Sequence, residues 1–284
     1  MGHGRNVMRM SLALGVLLGV AGCKETAAPR TPAQDAPPLQ SPDPGTQTPG
    51  TTDPSSPGPD GNTKPTPPSH DAQLIRKENA RPGSRGWKVT KGANANEIEG
   101  YALTSTVSPG ERVSVAVSVK DGPRKFSYEV CRLGYCGGLG AREVLRGGPL
   151  QAVPQTPCAP QRPTGLVACT WKPTLELETD DKWVPGVYLV KLVREDNLQR
   201  YVPFFVRDPN PASEVMVLIP TLTWQAYNAW GGTSLYDDKP GITGAGRGFQ
   251  ASFDRPYYRN FGAGHLMDDE HGLIQWMEAQ GLDV

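Results

Sequence analysis

Residues 113–119 read VSVAVSV, with a valine at every second position. In an extended strand, successive side chains point to opposite faces, so residues two apart lie on the same face. The same alternation recurs at residues 126–130 and 175–178, and glycine- and proline-containing turns separate these segments. Residues 186–193 and 201–206 have the pattern of a closing hairpin. Short strands at this spacing predict a β-sandwich over residues 73–208, with no helical stretch.

The N-terminal residues 1–22 have the pattern of a secretory signal peptide. Arg5 and Arg9 precede an apolar run at residues 10–20, which is too short to span a bilayer comfortably. The run ends in Val-Ala-Gly before Cys23, which resembles a bacterial lipobox. An acylated Cys23 would hold the protein on a lipid bilayer. We therefore expect an exported, membrane-anchored lipoprotein of the bacterial cell envelope; an ordinary signal peptide before a chance cysteine is the alternative.

Residues 23–72 comprise the predicted lipidated cysteine and a proline-rich tether. Thirteen of the 29 prolines lie in residues 24–72, with almost no large apolar side chain. Such a composition cannot bury enough surface to offset its conformational entropy, so we expect a disordered segment that spans roughly 40 Å as a coil. The chain has 29 basic and 29 acidic residues. This balance argues against nucleic acid as a partner.

Four cysteines remain beyond Cys23. An even number in an exported chain favours disulfides over a metal site. The predicted pairs are Cys158 with Cys169, and Cys131 with Cys136. Trp171, two residues after Cys169, is expected to pack on the first disulfide.

The pattern changes after residue 208. Residues 215–219 form a continuous apolar run, the kind of strand that a parallel sheet buries on both faces. Residues 269–280 predict a helix, with Asp268 as its N-cap and Gly281 after its end. The expected apolar face of this helix contains Leu273, Ile274, Trp276 and Met277. Residues 209–284 therefore predict the first part of an α/β domain, and its incomplete sheet predicts a truncated form of a longer protein.

Residues 223–236 read TWQAYNAWGGTSLY and concentrate large aromatic side chains beside a glycine pair. Aromatic rings with polar tips suit a ligand pocket, and Trp224, Asn228 and Trp230 are the candidate pocket residues. A buried aromatic corner is the alternative. A second polar cluster contains His265, Asp268, Asp269, Glu270 and His271. Its members point in different directions around a helix start, so we expect a solvated cap rather than a metal site.

Several segments resemble the N,N-dimethylformamidase large (β) subunit family. They are residues 78–84, 98–102, 108–111, 132–138, 183–188, 201–204, 223–236, 253–257 and 276–278. The resemblance implies an Ig-like β-sandwich followed by an α/β domain similar to class I glutamine amidotransferases. It also implies a mononuclear Fe(III) site, held by two tyrosines and a glutamate, that hydrolyses a small formamide to formate and an amine. Phenolate and carboxylate are hard ligands that suit this ion.

Within this resemblance, Tyr227 and Tyr257 are the candidate metal ligands, with Tyr236 and Tyr258 as rivals. The family glutamate lies in a His-Asp-Glu-Tyr-Trp-like motif, which the sequence does not contain. Glu278 matches a family position, but we interpret it as an acid on the helix surface.

The predicted function is hydrolysis of small linear amides, with a site that is incomplete in this chain. Two alternatives stay open. One is a non-catalytic surface lipoprotein that displays the β-sandwich for binding or as a scaffold. The other is an inactive product of a frameshift or an early stop.

Overall fold

The computed structural model describes residues 73–208, 213, 215–236 and 247–282. The described residues all belong to one compact unit. The predicted signal peptide, Cys23 and the tether lie outside them, as do residues 283 and 284. No helix within the described ranges is long and apolar enough to cross a membrane.

Two β-sheets account for most of the regular structure. The smaller has the order β1-β3-β6, formed by β1 (Ile98–Ala102), β3 (Arg112–Val119) and β6 (Pro173–Glu178). The larger has the order β2-β8-β7-β4-β5, formed by β2 (Thr106–Val107), β8 (Gln199–Val206), β7 (Gly186–Arg194), β4 (Arg124–Leu133) and β5 (Ala141–Ala152). Among the strands of the described ranges, β2 and β8 pair in parallel and the other strand pairs are antiparallel.

The inner faces of the two sheets share one hydrophobic core. Val113, Val115 and Val117 of β3 are completely buried in it. Val190 of β7 and Val202 of β8 meet them from the larger sheet. The alternation at residues 113–119 therefore does form one buried face, and the predicted β-rich fold of two sheets is confirmed.

The outer faces of both sheets are covered as well. Ala116, on the other side of β3, packs in a cluster with Trp171 and Trp230. Leu189 of β7 packs in a second cluster with Trp224. Trp224 and Trp230 both follow the last strand. The C-terminal part of the chain therefore covers part of the outer face of each sheet.

Three α-helices occur in the described residues: α1 (Leu74–Asn79), α2 (Thr221–Tyr227) and α3 (His271–Ala279). The expectation that residues 73–208 lack helix is wrong, because α1 lies there. A tertiary contact explains this helix. Glu78 is buried in α1, and its carboxylate accepts a hydrogen bond of 2.6 Å from Arg142 Nε of β5. Residues 221–227, which include the start of the aromatic run, are also helical.

The predicted strand at residues 215–219 does not form. Residues 215–220 have no regular structure, and the side chains of Met216 and Leu218 are 88% and 82% exposed. A strand inside a sheet needs neighbours for its backbone groups, and no described strand pairs with this segment.

Helix α3 forms close to its predicted position but begins two residues later. Glu270, not Asp268, occupies the N-cap position, and no side-chain hydrogen bond caps the helix. Gly281 has φ +69° after the last turn, and Leu282 N donates to Met277 O at 3.2 Å, so the predicted glycine stop is confirmed. Of the predicted apolar face, Ile274 and Met277 are buried, whereas Leu273 and Trp276 are half exposed.

The structure contains the Cys158–Cys169 disulfide that the sequence favours. Trp171 packs in the same cluster as this disulfide, as expected. The second predicted disulfide is absent, since Cys131 and Cys136 are free thiols. Both thiols are buried, and this burial raises the pKa of Cys131 to about 12 and that of Cys136 to about 11. Cys131 packs with Leu133 and other apolar residues on the outer face of the larger sheet.

Candidate functional site

Helix α2 places Tyr227 at the surface and Trp224 in the core. The side chain of Tyr227 is 48% exposed. Its ring stacks on that of Tyr236, with ring centroids 4.5 Å apart, and the ring of His265 contacts it edge-on at 6.0 Å. The candidate ligand Tyr227 and its rival Tyr236 therefore lie side by side.

Trp224 is buried beneath this surface. Its indole contacts the ring of Tyr257 edge-on, with centroids 5.9 Å apart. Its Nε1 donates to Glu270 Oε1 at 3.2 Å. Burial raises the pKa of the Glu270 carboxyl above its usual range, and the Trp224 hydrogen bond opposes that shift only in part.

Tyr257 is the more deeply placed of the two candidate ligands. Burial raises the pKa of its phenol to about 12, although a hydrogen bond with the Gln225 side chain favours the phenolate. The phenol is therefore neutral at physiological pH. Tyr258, the neighbouring rival, is half exposed.

Asn228 joins the two tyrosine segments. Its Nδ2 donates to Pro256 O at 2.9 Å, and its Oδ1 accepts from Tyr258 N at 3.0 Å. Both contacts flank Tyr257, and Asn228 itself follows Tyr227 in the chain. The Asn228 amide therefore satisfies loop backbone, and one buried side chain holds the two segments together.

Arg255 also holds the two tyrosine segments in place. This role was not predicted from the sequence. Arg255 is almost completely buried, and its guanidinium donates to Gln225, to Trp230 O and to Thr233 O. Burial lowers the pKa of Arg255 to about 10. The sequence feature that could have indicated this role is the position of Arg255 between Asp254 and a proline, in one of the family-like segments.

Trp230 packs in a different hydrophobic cluster from Trp224. It is buried edge-on against Trp171, and its Nε1 donates to Glu99 Oε2 at 2.9 Å. The three candidate pocket residues, Trp224, Asn228 and Trp230, are thus all buried with their polar groups bonded inside the protein. Their role as pocket lining remains a prediction.

The polar cluster before α3 is only partly a solvated cap. Asp268 and Asp269 are exposed, as predicted. In contrast, Glu270 is buried against Trp224, and His271 packs on Trp87 with ring centroids 5.1 Å apart. Across the described ranges, no group of three or more His, Cys, Asp or Glu side chains is arranged to hold a metal ion.

Glu278 is not the surface acid that the helix pattern predicts. It is buried and forms two hydrogen bonds with Arg132 of β4, at 2.7 and 3.2 Å. It also accepts from Tyr135 N. The carboxylate thus fastens α3 to the larger sheet, and its place in a family-like segment has a structural explanation.

Comparison of the chain with curated proteins gives no match. A family model described as N,N-dimethylformamidase beta subunit-like, C-terminal, matches residues 127–284. This region is more than half of the chain, runs from within β4 to the C-terminus, and includes both tyrosine segments and Glu278. The chain belongs to the N,N-dimethylformamidase beta subunit-like family.

Proposed function

We propose that this protein hydrolyses small linear amides at the surface formed by the two tyrosine segments. We call this surface the tyrosine site and define it as Tyr227, Tyr236, Tyr257 and Tyr258. The observation that carries the proposal is the position of Asn228, whose amide bonds to the backbone on both sides of Tyr257. These bonds hold together two segments about 30 residues apart in the chain, and this supports a common site for their tyrosines.

The donor types of the tyrosine site fit Fe(III), because phenolates are hard anionic ligands. Tyr227 and Tyr257 would hold the ion, with Tyr236 and Tyr258 as the alternatives. A bound Fe(III) would supply Lewis acidity for the hydrolysis of an amide. The carboxylate that the family resemblance adds to this set has no matching motif in the sequence. The proposed ligand set of this chain is therefore incomplete.

The protein's own side chains have supporting roles in this proposal. Asn228 and Arg255 hold the loops, so that the phenols keep their positions when a substrate binds. The Gln225 side chain favours the phenolate form of Tyr257. Trp224 is buried and supports the Tyr257 ring edge-on. An Ig-like assignment for the two sheets and an α/β assignment for residues 209–284 belong to the same proposal.

Iron content and colour test the proposed site directly. The full chain is purified without chelators, and its iron content, its visible phenolate-to-iron absorption and its release of formate from formamide are measured. We expect Y227F and Y257F to lose the absorption and to reduce formate release at least a hundredfold. Y135F is the matched control, because Tyr135 is also partly exposed but lies beside β4, and it should change neither property. Colourless, iron-free protein that releases no formate contradicts the proposal.

A second candidate function is a non-catalytic binding or scaffold role at the cell envelope. The buried, internally bonded state of Trp224, Asn228 and Trp230 favours it, because such side chains contribute to folding without any ligand. Retention of the iron-free full chain on immobilised envelope glycan, unchanged in Y227F, would support this role. Absence of retention would argue against it.

A further inference from the structure

The loop between β5 and β6 is closed by the Cys158–Cys169 disulfide. Residues 153–172, all of which the structure describes, form no helix and no strand beyond one isolated bridge between Gln161 and Leu166. Such an irregular loop gains little order from regular backbone pairing. The disulfide restricts the residues that it encloses, and we call residues 158–169 the disulfide loop.

The disulfide loop forms hydrogen bonds with both tyrosine segments. Cys169 N donates to Asp254 O at 2.7 Å. Gly165 O accepts from Thr233 Oγ1, also at 2.7 Å. Asp254 belongs to the segment around Tyr257, and Thr233 belongs to the aromatic run. One loop of the β-rich part of the chain is therefore bonded to each of the two segments that carry the candidate tyrosines.

Side-chain packing supports the same contact. Val167 is completely buried, and a Cβ on Gly231 would lie only 2.6 Å from its Cγ1. Glycine at position 231 thus allows the aromatic run to approach the loop closely. Val167 and Cys169 share one hydrophobic cluster with Trp171 and Trp230. The disulfide loop and the aromatic run are therefore packed together in a buried cluster.

Arg255 connects these contacts to Tyr257. Its guanidinium donates to the carbonyl oxygens of Trp230 and Thr233, which pack on the disulfide loop or bond to it. It also donates to the Gln225 side chain, which forms a hydrogen bond with the Tyr257 phenol. Movement of the loop would shift two acceptors of Arg255 and, through Gln225, the surroundings of this phenol.

We propose that the disulfide loop positions the tyrosine site, and that the site keeps its geometry only while Cys158 and Cys169 are bonded. The inference rests on the proposed function and adds its redox control, with the two cysteines as positioning residues. When the S–S bond forms, the two thiols lose two electrons and two protons, and a disulfide oxidant such as glutathione disulfide takes them up and becomes two thiols. The site is then ordered in the oxidising compartment expected for an exported chain.

Hydrogen exchange and formate release test this proposal in the full chain. The oxidised protein is treated with a phosphine, which breaks the S–S bond, takes an oxygen atom from water and leaves two thiols, and the phosphine is then removed. We expect the amides of residues 253–258 to exchange at least about tenfold faster after reduction, because Cys169 no longer holds Asp254 in place. The amides of β7 and β8 should stay protected over the same labelling times.

Formate release should fall about tenfold on reduction, because the phenols are no longer held in place. Reoxidation with glutathione disulfide should restore both the protection of residues 253–258 and the activity. Equal protection of these residues in the oxidised and reduced proteins would overturn the proposal. So would a simultaneous loss of protection in β7 and β8, because the effect of the disulfide would then be global.

Two variants identify the cysteines that respond. C158S/C169S should match the reduced wild-type protein and should not change further with phosphine. C131S is the matched control, because Cys131 is a buried free thiol in a different cluster, and it should respond to phosphine as the wild type does. A phosphine response that persists in C158S/C169S contradicts the assignment to this disulfide.

Positioning and hydrolysis fail separately in this design. Faster exchange of residues 253–258 on reduction, without formate release from the oxidised protein, would refute the hydrolysis while positioning by the disulfide loop stands. Formate release that is equal before and after reduction would refute the redox control while the hydrolysis stands.

Discussion

Arg132 and Glu278 form a buried ion pair whose side chains are only 1% and 4% exposed. Arg132 also donates to Pro185 O and Leu133 O, so the guanidinium has backbone hydrogen-bond acceptors in addition to the Glu278 carboxylate. The helical pattern of residues 269–280 predicts a surface position for Glu278, because such a pattern shows only neighbours along the helix. Its partner precedes it by 146 residues. Partners at such separations are decided by tertiary packing, which local patterns do not contain.

Removal of one charge from this pair should destabilise the protein strongly. We expect E278A to lower the free energy of unfolding by about 3–5 kcal/mol, because an unpaired guanidinium would stay buried. Urea denaturation measures the change. The control is E178A, since Glu178 pairs with Arg112 in an exposed ion pair, and solvent screening leaves such a pair little effect on stability. Equal effects of the two substitutions would contradict a special role for the buried pair.

Glu99 provides a pH-dependent test. Burial raises the pKa of its carboxyl, and the Trp230 and Arg200 contacts offset this only in part. An acid with a raised pKa in the folded state favours folding most at low pH, and this advantage disappears as the pH rises through that pKa. We expect E99Q, which keeps an acceptor for Trp230, to gain stability relative to wild type between pH 4 and pH 7.

Urea midpoints at the two pH values measure this difference. E195Q, at an exposed position, is the control and should show little change relative to wild type. If the stability difference between E99Q and wild type is the same at both pH values, the pKa of Glu99 is not raised in the folded protein.

At the scale of elements, β3, β4, β6, β7 and β8 were predicted from the sequence, β1, β2 and β5 were not, and the C-terminal segment was predicted only in part. The alternating valines of β3 encode a buried face locally, so the sequence alone locates the strand. Residues 215–219 are equally apolar, yet they form no strand, because a strand also needs paired neighbours. For the tyrosine site, the aromatic run and the segment around Tyr257 were predicted. The hydrogen bonds of Arg255 were not, since they arise only from packing.

The Cys158–Cys169 disulfide should stabilise the connection between β5 and β6. Its 11-residue separation predicts a loss of about 2–3 kcal/mol in the free energy of unfolding for the C158S/C169S double variant. Equilibrium denaturation measures this loss. C131S removes a buried free thiol instead and serves as the comparison.

Alkylation gives an independent check on these cysteines. In the folded protein, without reductant, a thiol reagent should label neither Cys131 nor Cys136, because both are buried and their raised pKa values disfavour the thiolate. Rapid labelling of either residue under native conditions would be inconsistent with the structure.

At the scale of the whole molecule, the predicted membrane attachment rests on residues outside the described ranges. We expect wild-type protein in a bacterial host to sediment with membranes and C23S to be released into the soluble fraction, because acyl chains on Cys23 would supply the anchor. Fractionation and mass spectrometry of the N-terminal peptide measure both. Membrane retention of C23S would exclude lipidation of this residue as the anchor.

The covering of both sheets by the C-terminal segment has a practical consequence for dissecting the protein. A fragment ending at residue 208 would keep Arg132 without its carboxylate and would expose the outer apolar faces around Leu189 and Ala116. Such a fragment should aggregate when expressed alone. The smallest segment worth expressing therefore extends through the glycine that ends α3, and recombination between homologues should be tolerated only when β4 and α3 are exchanged together.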